Sequence, residues 1–198
     1  AAVKVTDTVN LTKVDDLRTD TTGNITLTSL TEDKGDLATI NGFTDVILST
    51  ANITVSDNVD KSEADTIDAY SNTSGTVTLT SITDNLSNVK TVQDNANISL
   101  TTSDITVTDD VSLSDATALN GFTDGLITLQ QVKDTVSNIT LIDGISDSQL
   151  LMNNATVHSI EYYINIAGRS QPCLKKKALL ILLVSEGNSW KDFYYLEQ

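Results

Sequence analysis

One cysteine, one proline, one histidine and one tryptophan stand among 198 residues, and aromatic side chains make up only 5%. The lone Cys173 excludes an internal disulfide framework and a zinc site built on cysteines. Basic residues are also few, 12 against 27 acidic ones, giving a net charge of −15. A surface that acidic repels a phosphate backbone, which argues against nucleic acid as a partner, and it attracts cations. The longest apolar run, Ala178 to Val184, is far below the roughly 20 residues that cross a bilayer, so no membrane span is expected. No leader pattern opens the chain at Ala1, as expected of a mature or excised segment.

What is present is repetition. The chain reads VKVTDTVNLTKVDDL from Val3, ITVSDNVDKSEADTI from Ile53 and ITVTDDVSLSDATAL from Ile105, at offsets of 50 and 52 residues. A second series interleaves with it: ITLTSLTED from Ile25, VTLTSITDN from Val77 and ITLQQVKDT from Ile127. Both series share an aliphatic anchor followed, after one or two intervening positions, by Asp. The anchors are Val5, Leu30, Val55, Ile82, Val107 and Val132, spaced 25, 25, 27, 25 and 25 residues apart. The string NGFTD also recurs, at Asn41 and Asn120, 79 residues apart, about three units. The unit is therefore about 25 residues, with the series at Val3 called B and the series at Ile25 called A.

Alternation of Ile25 and Leu27 with Thr26 and Thr28, and of Val77 and Leu79 with Thr78 and Thr80, predicts short strands with one aliphatic and one threonine face. In the B units, Thr12 with Asp15, Ser62 with Asp65, and Ser114 with Thr117 read as helix starts. Ala64, Ile67 and Tyr70, or Ala116, Leu119 and Phe122, follow at helical spacing. Gly75 and Gly121 fall at expected helix ends and turns. Weaker helical signals lie over 37–43 and 86–92 in the A units.

A unit of one strand and one short helix cannot bury its apolar side alone; stacked neighbours can. The expected fold is a β-rich solenoid of about 25-residue units, short parallel strands with short helices or turns. An all-β parallel solenoid is the alternative. The six anchors are expected at equivalent positions on successive coils, or alternately if one coil takes a whole A–B pair.

The array covers 1–157, which holds 23 acidic and 7 basic residues; 158–198 holds 4 and 5. That atypical C-terminal segment contains the only Pro, Cys and Trp and four of the five Tyr. It reads either as a cap over the last coil or as a non-native tail. As a cap, Ile160, Tyr162, Ile164 and the run 179–183 would cover Ile139, Leu141, Ile145 and Leu150.

The Val5-Thr6-Asp7, Val55-Ser56-Asp57 and Val107-Thr108-Asp109 anchors, with the capped helix at Asp115, resemble the Thr/Asp-rich tandem arrays of very large bacterial, cyanobacterial-type surface proteins. The resemblance implies an extracellular or cell-surface, non-catalytic structural or adhesive module, often calcium-dependent in such families. Its partners would be neighbouring repeats or copies of itself, with divalent cations or a surface as further candidates. The Gly-Gly-x-Gly-x-Asp calcium nonapeptide is absent.

Asp7, Asp57, Asp84, Asp109 and Asp134 are the candidate site residues. They read as turn-closing carboxylates that bond nearby backbone N–H groups, or as calcium ligands repeated along the array. The Thr pairs 26/28 and 78/80 suggest an ice-binding face as an alternative, interrupted by Gln130 and by Lys4. His158 sits at the degenerate edge of the array without a nucleophile motif beside it, which argues against a hydrolase. Cys173, between Pro172 and the Lys175–Lys177 run, reads as incidental, and those lysines as a solvated face. The sequons at Asn24, Asn52, Asn72, Asn97 and Asn138 are expected by chance in so Asn- and Thr-rich a chain.

Overall fold

A computed structural model describes residues 1–71, 74–145, 150–152, 155–159 and 179–181. The chain alternates strand and helix. It runs β1 (Val3–Val9), α1 (Leu11–Asp20), β2 (Ile25–Glu32), α2 (Lys34–Asn41), β3 (Val46–Ile47), β4 (Asn52–Val59) and α3 (Lys61–Tyr70). It continues with β5 (Val77–Asp84), α4 (Leu86–Gln93), β6 (Ile98–Ser99), β7 (Asp104–Val111), α5 (Leu113–Asn120), β8 (Ile127–Asp134) and α6 (Val136–Asp143). It ends in β9 (Leu150–Leu151), β10 (Thr156–Ser159) and β11 (Leu179–Ile181).

One sheet takes the strands in the order β1-β2-β4-β5-β7-β8-β10-β11, with β3, β6 and β9 paired to β2, β5 and β8. Every pairing is parallel except β10 with β11, which is antiparallel. The sheet is open, and helices form part of every unit, so the all-β alternative does not hold.

The alternation in each strand divides it as the sequence suggests. Ile25, Leu27 and Leu30, with Val77, Leu79 and Ile82, are fully buried; Thr26, Thr28 and Thr78 are half-exposed and Thr80 exposed. Helices contribute pairs three residues apart: Leu37 and Ile40, Ala64 and Ile67, Val89 and Val92, Ala116 and Leu119, Ile139 and Ile142. With the strand residues these form a single apolar cluster running the length of the sheet. No unit owns a core of its own, so the apolar driving force that folds one unit is supplied by the next.

The anchors do not line up as expected. Val55 lies opposite Leu79, not Ile82, and Ile82 lies opposite Ile105, not Val107. The aligned rows are instead Val9, Leu30, Ile53, Val77 and Ile98, then Val59, Ile82, Ile105, Ile127 and Leu150. Two features cause the stagger. A two-residue strand after each A helix takes the edge beside the first half of the A strand, leaving only its second half for the following B strand. Each B strand then carries a bulge, between Val5 and Thr8, Val55 and Asn58, and Val107 and Asp110, which resets the register. By the same register Val157, opposite Val132, is the counterpart of Ile105 and not of Val107.

Helix starts also differ from expectation. The N-caps of α1, α3 and α5 are Asn10, Asp60 and Ser112, two residues ahead of Thr12, Ser62 and Ser114. Strand and helix abut with a single capping residue between them, so the first residue able to cap is the one used. Of the expected cap, Ile160, Tyr162 and Ile164 lie outside the described residues. Ile139 and Leu150 are buried, and Leu141 remains 55% exposed.

Gly75 serves packing more than a turn. A Cβ there would sit 1.8 Å from the carbonyl oxygen of Ala51, on the adjoining unit. Gly23 and Gly125, its counterparts, approach Ala1 and Ser103 in the same way. Thr21 and Thr123 donate to those same two carbonyls, at 2.7 Å each, so a Thr-x-Gly step seats β2 and β8 on the units before them. Gly75→Ala is therefore expected to destabilise the fold by about 1–3 kcal/mol or more, because the backbone of another unit must move. Gly35→Ala, in α2 with only the Asp33 side chain near, should stabilise by about 0.5–1 kcal/mol. Urea denaturation of the two variants beside the parent measures both signs; equal effects would mean that the close approach at Gly75 is not a constraint.

Candidate functional site: the strand-end carboxylates

A short helix leaves its first N–H groups without intrahelical partners, and α1 to α6 are only 8 to 10 residues long. Each helix solves part of this locally. Asn10, Asp33, Asp60, Asn85, Ser112 and Thr135 accept through their side chains from the N–H three residues on. At α3 and α5 the bond is returned by Glu63 and Asp115, completing capping boxes.

The first N–H is satisfied from outside. Lys34 N donates to Asp57 at 3.0 Å, Lys61 N to Asp84 at 2.9 Å, Leu86 N to Asp109 at 2.7 Å and Leu113 N to Asp134 at 2.9 Å. Leu11 N donates to Glu32. The acceptor in every case stands at, or two residues before, the end of the next long strand, 21 or 23 residues further along the chain. Four of the five candidate aspartates thus bond backbone N–H groups, as turn-closing residues would, but mainly across the gap between units. Asp84 and Asp134 do both. They also accept from the N–H of Asn85 and Thr135 and from the side chains of Asn88 and Asn138.

Glu32 is the member that the sequence pattern does not disclose. Asp33 beside it satisfies the aliphatic-x-x-Asp pattern, yet Asp33 is the local N-cap of α2. The signal that separates them is register: Glu32 lies two residues after Leu30, as Asp57 lies two after Val55. Asp7 is the exception in the other direction. It is exposed and has no hydrogen-bond or ion-pair partner among the described residues.

Burial alone would raise the pKa of Asp84, but the donors at Lys61 N, Asn88 and Asn85 N outweigh it and hold the carboxyl below its ordinary 3.8. For Asp134 burial is likewise opposed and overcome, here by Leu113 N, Thr135 N and Asn138. Side chains tie the same units together. Lys34 reaches Glu63 at 2.8 Å, Lys90 reaches Asp115 at 2.7 Å, and Arg18 pairs with Asp45 at 3.0 Å while lying 3.7 Å from the Phe43 ring centroid.

No group of three or more His, Cys, Asp or Glu able to hold a metal ion occurs among the described residues. Asp7, Asp57, Asp84, Asp109 and Asp134 stand on separate strands. Calcium takes six to eight oxygens, and the carboxylate oxygens that accept N–H bonds are already engaged. His158 Nδ1 lies 3.0 Å from Asp110, which Lys133 also approaches at 3.5 Å. His158 and Asp110 are about 40% exposed on the outward side of the sheet, unlike the buried pair a hydrolase triad requires. A shallow depression between α2 and α3 is lined by Lys34, Ser62, Glu63, Thr66, Ile67 and Tyr70. It carries the Lys34–Glu63 pair already described. Comparison of the chain with protein-family models, curated proteins and solved structures gave no match.

Replacing Asp84 by Ala leaves the first N–H of α3 without its acceptor and is expected to cost about 1 kcal/mol, as losses of helix caps do. Because the folded-state pKa values of Asp84 and Asp134 lie below 3.8, their contribution is fully present above that pH. It is lost as pH falls through the folded values, so the double variant Asp84→Asn/Asp134→Asn should show a flatter acid limb of Tm against pH than the parent. Melting in millimolar calcium and in chelator should coincide. A calcium-dependent rise in Tm that disappears on substituting these aspartates would assign them to cation binding instead.

Proposed function

We propose that residues 1–157 form an open solenoid, about six units of 25 residues paired as 50–52-residue repeats. Its role is that of a non-catalytic structural or adhesive module in an extracellular or cell-surface protein. The observation that carries this reading is the recurrence of one interlock, strand-end carboxylate to preceding helix, at α1 through α5. The polar groups that recur in the array are spent on its own neighbours. An array built this way gains length by adding units without adding a new kind of contact, which suits a spacer or fibre. The strong acidity keeps such an array soluble and discourages lateral collapse.

Two measurements test the reading. Antibodies raised against this chain should label intact cells of the source organism; labelling confined to permeabilised cells would place the protein elsewhere. Pulling the chain by its ends should release length in steps of about 90 Å per 25-residue unit, or about 180 Å per pair, from the extended-chain limit. A single all-or-none release would count against unit-wise construction.

The sheet offers one observation in favour of a second reading, an ice-facing threonine surface. Thr31, Thr54 and Thr78 stand in register on three strands, and Thr83, Thr106 and Thr128 on three more. Ile47, Leu151, Lys4 and Lys133 occupy the flanking outward positions, and Thr28 and Thr80 donate their hydroxyls to strand carbonyls. These breaks make thermal hysteresis no greater than that of an acidic control protein the expected result.

A further inference from the structure

The two sides of the array do not share its charge. Acidic residues crowd the helices, their caps and the strand ends that meet them. Among the described residues, the outward face of the sheet carries Asp104 and Asp110 as its only acidic side chains and Lys4 and Lys133 as its only basic ones. That face is therefore close to neutral. Lys133 approaches Asp110 at 3.5 Å, and Asp104 accepts from Leu126 N at 2.9 Å. The hydroxyls differ between the two sides as well. Thr39, Thr66, Thr91, Thr117 and Thr140, on five successive helices, each donate to the carbonyl four residues back. Thr31, Thr54 and Thr78, in register on β2, β4 and β5, have no hydrogen-bond partner among the described residues, nor do Thr106 and Thr128 on β7 and β8. Threonine favours strands whatever it faces, but that preference does not clear one face of excess charge in a chain of net charge −15.

We infer that this outward face binds an extended, uncharged polysaccharide. A polyanion is repelled by the array as a whole, and a polycation is drawn to the helix side; a neutral polymer meets neither bias. Sugar hydroxyls both donate and accept, as the free threonine hydroxyls facing them do. Ile47 beside Thr26, and Leu151 beside Thr128, offer aliphatic ground to the C–H faces of sugar rings. These two residues interrupt an ice lattice, whereas a polymer that alternates hydroxyl and C–H surface uses both kinds of contact. Neighbouring strands lie about 4.8 Å apart, so the same donors recur across the sheet. Many weak contacts along one polymer then add through effective concentration. The inference rests on the adhesive reading proposed above and names the class of ligand for it.

The test is native gel electrophoresis of the full chain through hydroxyethyl cellulose and through galactomannan, with carboxymethyl cellulose as the charged counterpart. At least one of the uncharged polymers should retard the protein, and the carboxymethyl polymer should not. The triple variant Thr54→Val/Thr78→Val/Thr106→Val keeps the β-branched shape and removes three free hydroxyls. It should raise the polymer concentration needed for half-retardation about tenfold, with an unchanged melting curve. Thr91→Val, on α4, should migrate as the parent does. Absence of retardation by both uncharged polymers overturns the inference, as does equal retardation of parent and triple variant. Stronger retardation by carboxymethyl cellulose would assign binding to charge and overturn it. A parent mass that rises with concentration in sedimentation equilibrium, and returns to the monomer in the triple variant, would assign the face to a second copy and overturn it too. None of these outcomes bears on the array reading, which stands or falls on cell labelling and stepwise extension.

Discussion

A helix of two or three turns is unstable alone, because too few bonds are made for the residues fixed. Here its first N–H is held by a carboxylate that arrives on the next strand, and the rest of the architecture follows from that bond. The strand must end level with the start of the neighbouring helix, which fixes the height of one unit against the next. Asp57, Asp84, Asp109 and Asp134 all meet that condition across different local sequences. The bond also pairs a negative group with the positive end of a helix dipole, so two weak effects act in one place.

The other constraint is the alternation of two kinds of unit. A-type strands face two different neighbours along one edge; B-type strands carry a bulge and are short of one partner until the next A unit arrives. The bulge matters because a one-residue slip would turn the aliphatic face outward. It absorbs an extra residue between Val55 and Asn58 and still returns Val59 to the core opposite Ile82. Without it the carboxylate at Asp57 and the valine at Val59 would demand incompatible registers.

The alternation Ile25-Thr26-Leu27 and the helical spacing Ala64-Ile67 are legible in the sequence because each records which face meets water. The stagger is not. It depends on β3 and β6, two residues each, whose Val46 and Ile98 resemble any apolar residue of a loop. The recurring aspartates are legible as backbone acceptors by residue type, but the partner lies 21 or 23 residues earlier, and no local pattern records that distance. Glu32 was hidden for a related reason, since the adjacent Asp33 satisfies the same pattern locally. Gly75 resembles a turn glycine until the carbonyl of Ala51 is found against it.

The acidity of the array follows from the same interlock. Each added unit brings a strand-end carboxylate, and four of the local N-caps and capping-box partners, Asp33, Asp60, Glu63 and Asp115, are also acidic. Charge therefore accumulates with length. Three of the few cations are placed where it would accumulate worst: Lys34 against Glu63, Lys90 against Asp115 and Arg18 against Asp45, each joining one unit to another. Exposed pairs of this kind contribute little to stability singly. Their value here lies in relieving repulsion between carboxylates whose positions the helix starts dictate. Net negative charge is in this sense a consequence of how the units are joined, and Lys34, Lys90 and Arg18 stand at the joints.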